Sequence, residues 1–128
     1  MSTVTEMTKY PLAARDHSWN GDEAEAAIRK QTGAEDEPNA EYASCFFWHD
    51  TDAPEQYGSY KLLYCDVIDG RIEAVPHAIF AVAGILDGAR GGLSVPEADQ
   101  EKIKGVVGEW YEKMAHKFHD DSLVAPWA

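Results

Sequence analysis

The sequence predicts an α+β fold: a short antiparallel sheet with a β-hairpin, packed against about three helices, with extended arms at both ends. Aromatic and β-branched residues gather at 42–48 and 60–75, and Asp69-Gly70 divides two apolar segments. Two later stretches, 76–88 and 95–118, repeat apolar residues at helical spacing. The 128 residues suit one domain, divided into an arm at 1–18, a single α+β domain at 19–119 and a tail at 120–128. Hydrophobic residues are 45% of the chain, enough to furnish a core.

Residues 1–18 show neither clean alternation nor helical spacing, and Pro11 interrupts their one apolar stretch. They read as an extended arm, expected to be mobile over 1–16 in the free protein and ordered on a partner. After the turn-rich Trp19-Asn20-Gly21-Asp22, Ala24, Ala27 and Ile28 fall at i, i+3 and i+4, which predicts a short helix over 23–31. Acidic residues in its first turn and Arg29 and Lys30 in its last suit the macrodipole, and Gly33 is a left-handed stop. The stretch 34–39 reads as an exposed acidic loop. Cys45, Phe46, Phe47 and Trp48 predict a strand over 43–48, followed by a loop of breakers from His49 to Ser59.

Residues 60–75 are expected to form one hairpin around Asp69-Gly70, because a type I′ turn needs positive φ at both central positions. Pro76 suits the first turn of a helix that carries Ile79, Val82, Ala83 and Leu86 as far as Gly88. A flexible break is expected at 88–92. Ser94-Val95-Pro96-Glu97 reads as a capping box opening a helix over 95–118, with Ile103, Val106, Val107, Trp110, Met114 and Phe118 as its apolar stripe. Gly105 and Gly108 weaken that helix, so a close approach of another backbone is expected there. The tail ends in an apolar hook, Val124-Ala125-Pro126-Trp127, and residues 120–128 are likewise expected to be mobile in the free protein and ordered on a partner.

Eleven Lys and Arg against twenty-three Asp and Glu give a formal charge of -12. That balance argues against binding nucleic acid or anionic membrane, since both need basic groups facing phosphate. No apolar run approaches the length of a membrane span, and no secretory leader pattern opens the chain, so a soluble protein is expected. Cys45 and Cys65 read as reduced, buried thiols; if bridged, they would join two strands.

The constellations that would carry chemistry are weak. His116 and His119 share one helical face beside Asp120, yet a zinc site needs further ligands placed by the fold. Asp50, Asp52 and Glu55 resemble part of a calcium loop without its glycine and terminal glutamate in register. His49 and His77 have no nucleophile elbow, phosphate loop or dinucleotide fingerprint to serve. The chain is therefore expected not to be an enzyme and to need no cofactor, with no catalytic or metal-ligating residue assigned. Trp48 and Trp110 read as core by their spacing. Tyr10, Trp19, Tyr57 and Trp127 lie in loops or tails and are the candidate partner-binding residues.

Four segments resemble a known family: Trp19-x-Gly21-x-x-Ala24-x-x-Ala27-Ile28-Arg29, Tyr57-Gly58-Ser59-Tyr60-Lys61-Leu62, Asp66-Val67-Ile68-Asp69-Gly70 and Ala74-Val75-Pro76-x-Ala78-Ile79. Together they look like a small domain of tailed-phage head genes, found beside or fused to prohead proteases. The likeness spans roughly residues 17–87, with Leu63 and His77 departing where Pro and Arg would stand. It covers no protease motif and so implies no catalytic residue. It implies a free-standing virion protein of the capsid decoration or cement type, bound to the major capsid protein on the outer surface of the head. Assembly in the host cytoplasm and self-association on the capsid go with that expectation. The alternative is an acidic cytoplasmic adaptor or inhibitor acting by protein-protein binding.

Overall fold

Thr3, Val4 and Thr5 are β-branched, which restricts χ1 and favours extended backbone. In the computed structural model, which describes residues 1–88 and 93–128, they open the molecule as an edge strand, β1 (Ser2–Val4). The N-terminal segment is extended as expected, but it is docked. The Thr5 amide donates to the Phe47 carbonyl at 2.9 Å, and Ala74 exchanges bonds with Pro11 and Ala13 at 2.8 Å each. Leu12 and Ala13 are buried in the core. Backbone pairing and apolar burial offset the entropy of ordering this segment, so the mobility expected of residues 1–16 is not what the structure shows.

Helix α1 (Gly21–Gln31) starts where Asn20 accepts a capping bond from the Glu23 amide at 3.1 Å. It buries Ala24 and Ile28 and stops before Gly33, at φ +71°. The acidic loop that follows is exposed at 35–37, but Ala34 is fully buried. The strand expected at 43–48 is displaced. Asn39 caps a one-turn helix, α2 (Ala40–Ala43), by accepting from the Tyr42 amide at 2.8 Å, and β2 runs over Phe46–Asp50.

The single hairpin expected at 60–75 is two structures. β3 (Tyr60–Leu63) pairs antiparallel with β2, matching His49 to Tyr60 and Phe46 to Leu63, while β4 (Cys65–Ile68) pairs with β5 (Arg71–Ala74). Leu62, at φ +66°, kinks β3 from within, and Tyr64 bridges the two sheets. Its amide donates to Cys45, and its carbonyl accepts from Val75. The turn is as expected: Ile68 faces Arg71 across Asp69 and Gly70, at φ +53° and +76°. The architecture is α+β, with antiparallel sheets ordered β1-β2-β3 and β4-β5.

Pro76 occupies the first turn of α3 (Pro76–Leu86), whose Ala78, Ile79, Val82, Ala83 and Leu86 are buried. Of the expected break at 88–92, residues 89–92 lie outside the described residues. The capping box does not form. α4 (Glu97–Phe118) has Pro96 as its N-cap with no side-chain capping bond, because a residue before proline is pushed out of the helical region and Val95 cannot be the first helical residue. Nor does another backbone approach Gly105 or Gly108: a Cβ there would meet nothing within 4 Å among the described residues. His119 ends the helix at φ +53°. The tail then returns, burying Ala125 and packing Trp127 against the core around Trp110, Tyr64, Phe47, Ile103 and Met114.

Candidate functional site

Pairing places Thr3, His49 and Tyr60 side by side across the three-stranded sheet, so their side chains share one face. The opposite face carries Trp48, whose indole N–H donates to Asp99 on α4 at 2.9 Å. Ser2 reaches the same carboxylate, and the two bonds hold Asp99 below the usual carboxylate range. With α4 on one face, the other is left to α2 and the loop before it, and between them lies a cleft of about 450 Å³. Ala40, Ala43 and Ser44 form its wall and Glu6, Met7 and Pro54 its rim.

The His49 ring stacks on Tyr60, with centroids 4.9 Å apart and planes 13° off parallel, and its buried Nδ1 has no hydrogen-bond partner. Burial pushes this imidazole below the usual histidine range against the pull of Asp50. The floor of the cleft is therefore a neutral aromatic pair. It suits apolar or hydrogen-bonding contact, and no nucleophile there is paired with the imidazole by a hydrogen bond among the described residues.

A second cluster lies under the N-terminal segment. The Tyr10 hydroxyl is 2.5 Å from Ser44 Oγ, and the Tyr64 hydroxyl donates to the Ser44 carbonyl at 2.8 Å. Beside them Cys45 and Cys65 are free, fully buried thiols. Hydrogen bonding from Cys65 first, then from Tyr10 and Ser44, draws the Cys45 thiol down against desolvation. Burial pushes Cys65 well up. The Cys45 thiol itself donates to the Glu41 carbonyl at 3.7 Å, and the Ser44 hydroxyl donates to the same carbonyl at 2.6 Å.

The four candidate partner-binding aromatics are half-buried and scattered. Tyr10 is tied through its hydroxyl to Ser44. Tyr57 donates to the Ala34 carbonyl, and the Arg29 guanidinium lies 3.6 Å from its ring centre. Lys104 sits over Trp127 at 5.6 Å. Trp19 packs against the core near α1. No aromatic contact joins any two of the four among the described residues.

Elsewhere Asp120 is held at about 2 by the Ser122 hydroxyl first and Arg15 second, so its carboxylate is engaged away from His116 and His119. Asp52 takes the Met1 amino group at 2.7 Å, with Asp50 at 4.0 Å. Among the described residues no group of three or more His, Cys, Asp or Glu side chains converges as a metal ion would require. No described helix is long and apolar enough to cross a membrane.

Sequence reasoning missed the cleft and the thiol cluster, because both depend on β1 and the following segment folding back. The alternation of Ser2-Thr3-Val4-Thr5 was the available signal for the strand. Compared with family models, curated proteins and solved structures, the chain has no match.

Proposed function

We propose that this chain is a structural protein of a tailed-phage head, a decoration or cement protein that binds the major capsid lattice by protein contact. The observation that carries this reading is the resemblance over residues 17–87, centred on Trp19 with its helix and on the Asp69-Gly70 hairpin that runs into Pro76. The surface is compatible with it. A charge of -12 suits an outer position away from packaged DNA. β1 is a sheet edge beside an apolar cleft, which is where an extended segment of a partner can add. Met7 at the cleft rim is 45% exposed, and Val124 in the tail is 61% exposed, so both ends offer apolar contact.

The direct test is mass spectrometry of gradient-purified phage particles made by cells that express the chain. Recovery with intact heads, in fixed ratio to the major capsid protein, is the expected result. Absence from particles, with the chain held on a basic host protein, would replace this reading with the cytoplasmic adaptor.

A further inference from the structure

We infer that the free edge of β1 takes an extended peptide of basic and apolar composition as an added strand, with its apolar side chains seated in the cleft above His49 and Tyr60. The inference rests on the protein-contact reading above and names the chemistry of the bound segment, whichever partner supplies it.

The edge follows from the pairing. The Thr5 amide donates to the Phe47 carbonyl at 2.9 Å and the Thr51 amide to the Met1 carbonyl at 3.0 Å, so Met1, Thr3 and Thr5 turn their backbone groups to β2. Ser2 and Val4 therefore turn theirs outward, where the sheet ends. Among the described residues neither has a backbone partner on that side. Natural sheets blunt such edges with charge or proline. β3, the opposite edge, carries Lys61, whereas Ser2-Thr3-Val4 carries neither device.

A strand added here finds a seat for alternate side chains. Thr3, His49 and Tyr60 share the cleft face, so residues of the added strand opposite Thr3 and Thr5 point to the same side. Val4 lines the cleft although its side chain belongs to the face of Trp48, so the cleft runs out to the strand edge. Its volume of about 450 Å³ holds a branched apolar side chain, and the exposed Met7 extends the contact at the rim.

Charge chooses the occupant. Glu6 lines the cleft, Glu37, Glu41 and Glu55 each adjoin a lining residue, and all four are exposed. None of them takes part in an ion pair among the described residues, and no Lys or Arg lines the cleft. Lysine or arginine on the added segment meets uncompensated charge there. A second copy of this chain would instead bring the same carboxylates and another charge of -12 to the edge.

The test is fluorescence anisotropy of a labelled peptide, Lys-Lys-Val-Thr-Leu-Thr-Val-Lys-Lys, titrated with the folded full-length protein. Saturable binding is expected, about tenfold or more tighter than for the same peptide with Glu in place of Lys. N-methylation of one alternate set of its backbone amides should weaken binding about tenfold or more and of the other set much less, because only one edge of an added strand faces β1. Val4→Pro removes an outward N–H without touching a bond to β2, and should also weaken binding about tenfold. Circular dichroism checks that this variant folds, and the two methylated peptides decide on the wild type if it does not. Absence of saturable binding, equal loss from both methylated sets, or equal binding of the Lys and Glu peptides would overturn the proposal. So would dimers in analytical ultracentrifugation that Val4→Pro abolishes, which would give the edge to a second copy. Heads bound while the peptide is refused would overturn strand addition alone, and the peptide bound while heads are refused would overturn only the capsid as partner.

Discussion

Asp69 and Gly70 both have positive φ, and a Cβ on Gly70 would meet nothing within 4 Å. The cost of Gly70→Val is therefore conformational, about 1–2 kcal/mol for a left-handed residue, and Gly70→Asn should cost much less. Urea midpoints of the two variants measure the difference. This turn was legible in the sequence because its requirement is local. His49 was not legible as a cleft residue, since Thr3 and Tyr60 reach it from far along the chain. Its folded pKa lies below the unfolded value of about 6.5, so the stability it contributes is present above that value and is lost as pH falls through the folded one. Melting temperature should accordingly fall more steeply from about pH 7.5 to 5.5 in the wild type than in His49→Gln. Parallel curves would show that His49 is not the group responsible.

At the scale of elements, α4 shows what spacing can and cannot give. Its apolar stripe was readable, and Ile103, Val106, Val107, Trp110 and Met114 are buried as the period requires. Its start was not, because Ser94 and Glu97 have the right chemistry but Pro96 intervenes. Ser94→Ala should then leave stability within about 0.5 kcal/mol, where a real cap would cost about 1 kcal/mol. Gly105 and Gly108 have open space for a methyl group, so replacing each with Ala should stabilise the protein by up to about 1 kcal/mol. Asp99→Ala should destabilise by about 1.5–3 kcal/mol, since it removes the acceptor that ties Ser2 and Trp48 to α4. Chemical denaturation of these variants checks each value. The run 60–68 carries no breaker in the sequence; the left-handed Leu62 lies inside β3, and the change of partner from β2 to β5 falls at Tyr64.

Over the whole molecule, the α+β class was legible because it rests on residue type and period, whereas the docking of both ends was not, because it depends on surfaces assembled from distant elements. Removing residues 1–16 deletes β1 and strips Leu12 and Ala13 from the core, so loss of cooperative unfolding is expected. Removing 120–128 exposes less and should lower stability without abolishing the fold. The thermal unfolding curves of the two truncations distinguish these outcomes. Because Trp19 and Trp127 are half-buried, their substitution with Ala perturbs packing as well as contact, and binding should be compared only at matched stability. The measurement that bears most directly on the proposed role is co-sedimentation of the purified full-length protein with empty expanded heads and with immature proheads, at about 50 and 200 mM salt. Saturable binding to expanded heads is expected, changing by less than about tenfold over that range, because apolar contact and not phosphate neutralisation drives it. Absence of binding to either particle, alongside tight binding to a basic cytoplasmic protein that collapses with salt, would contradict it.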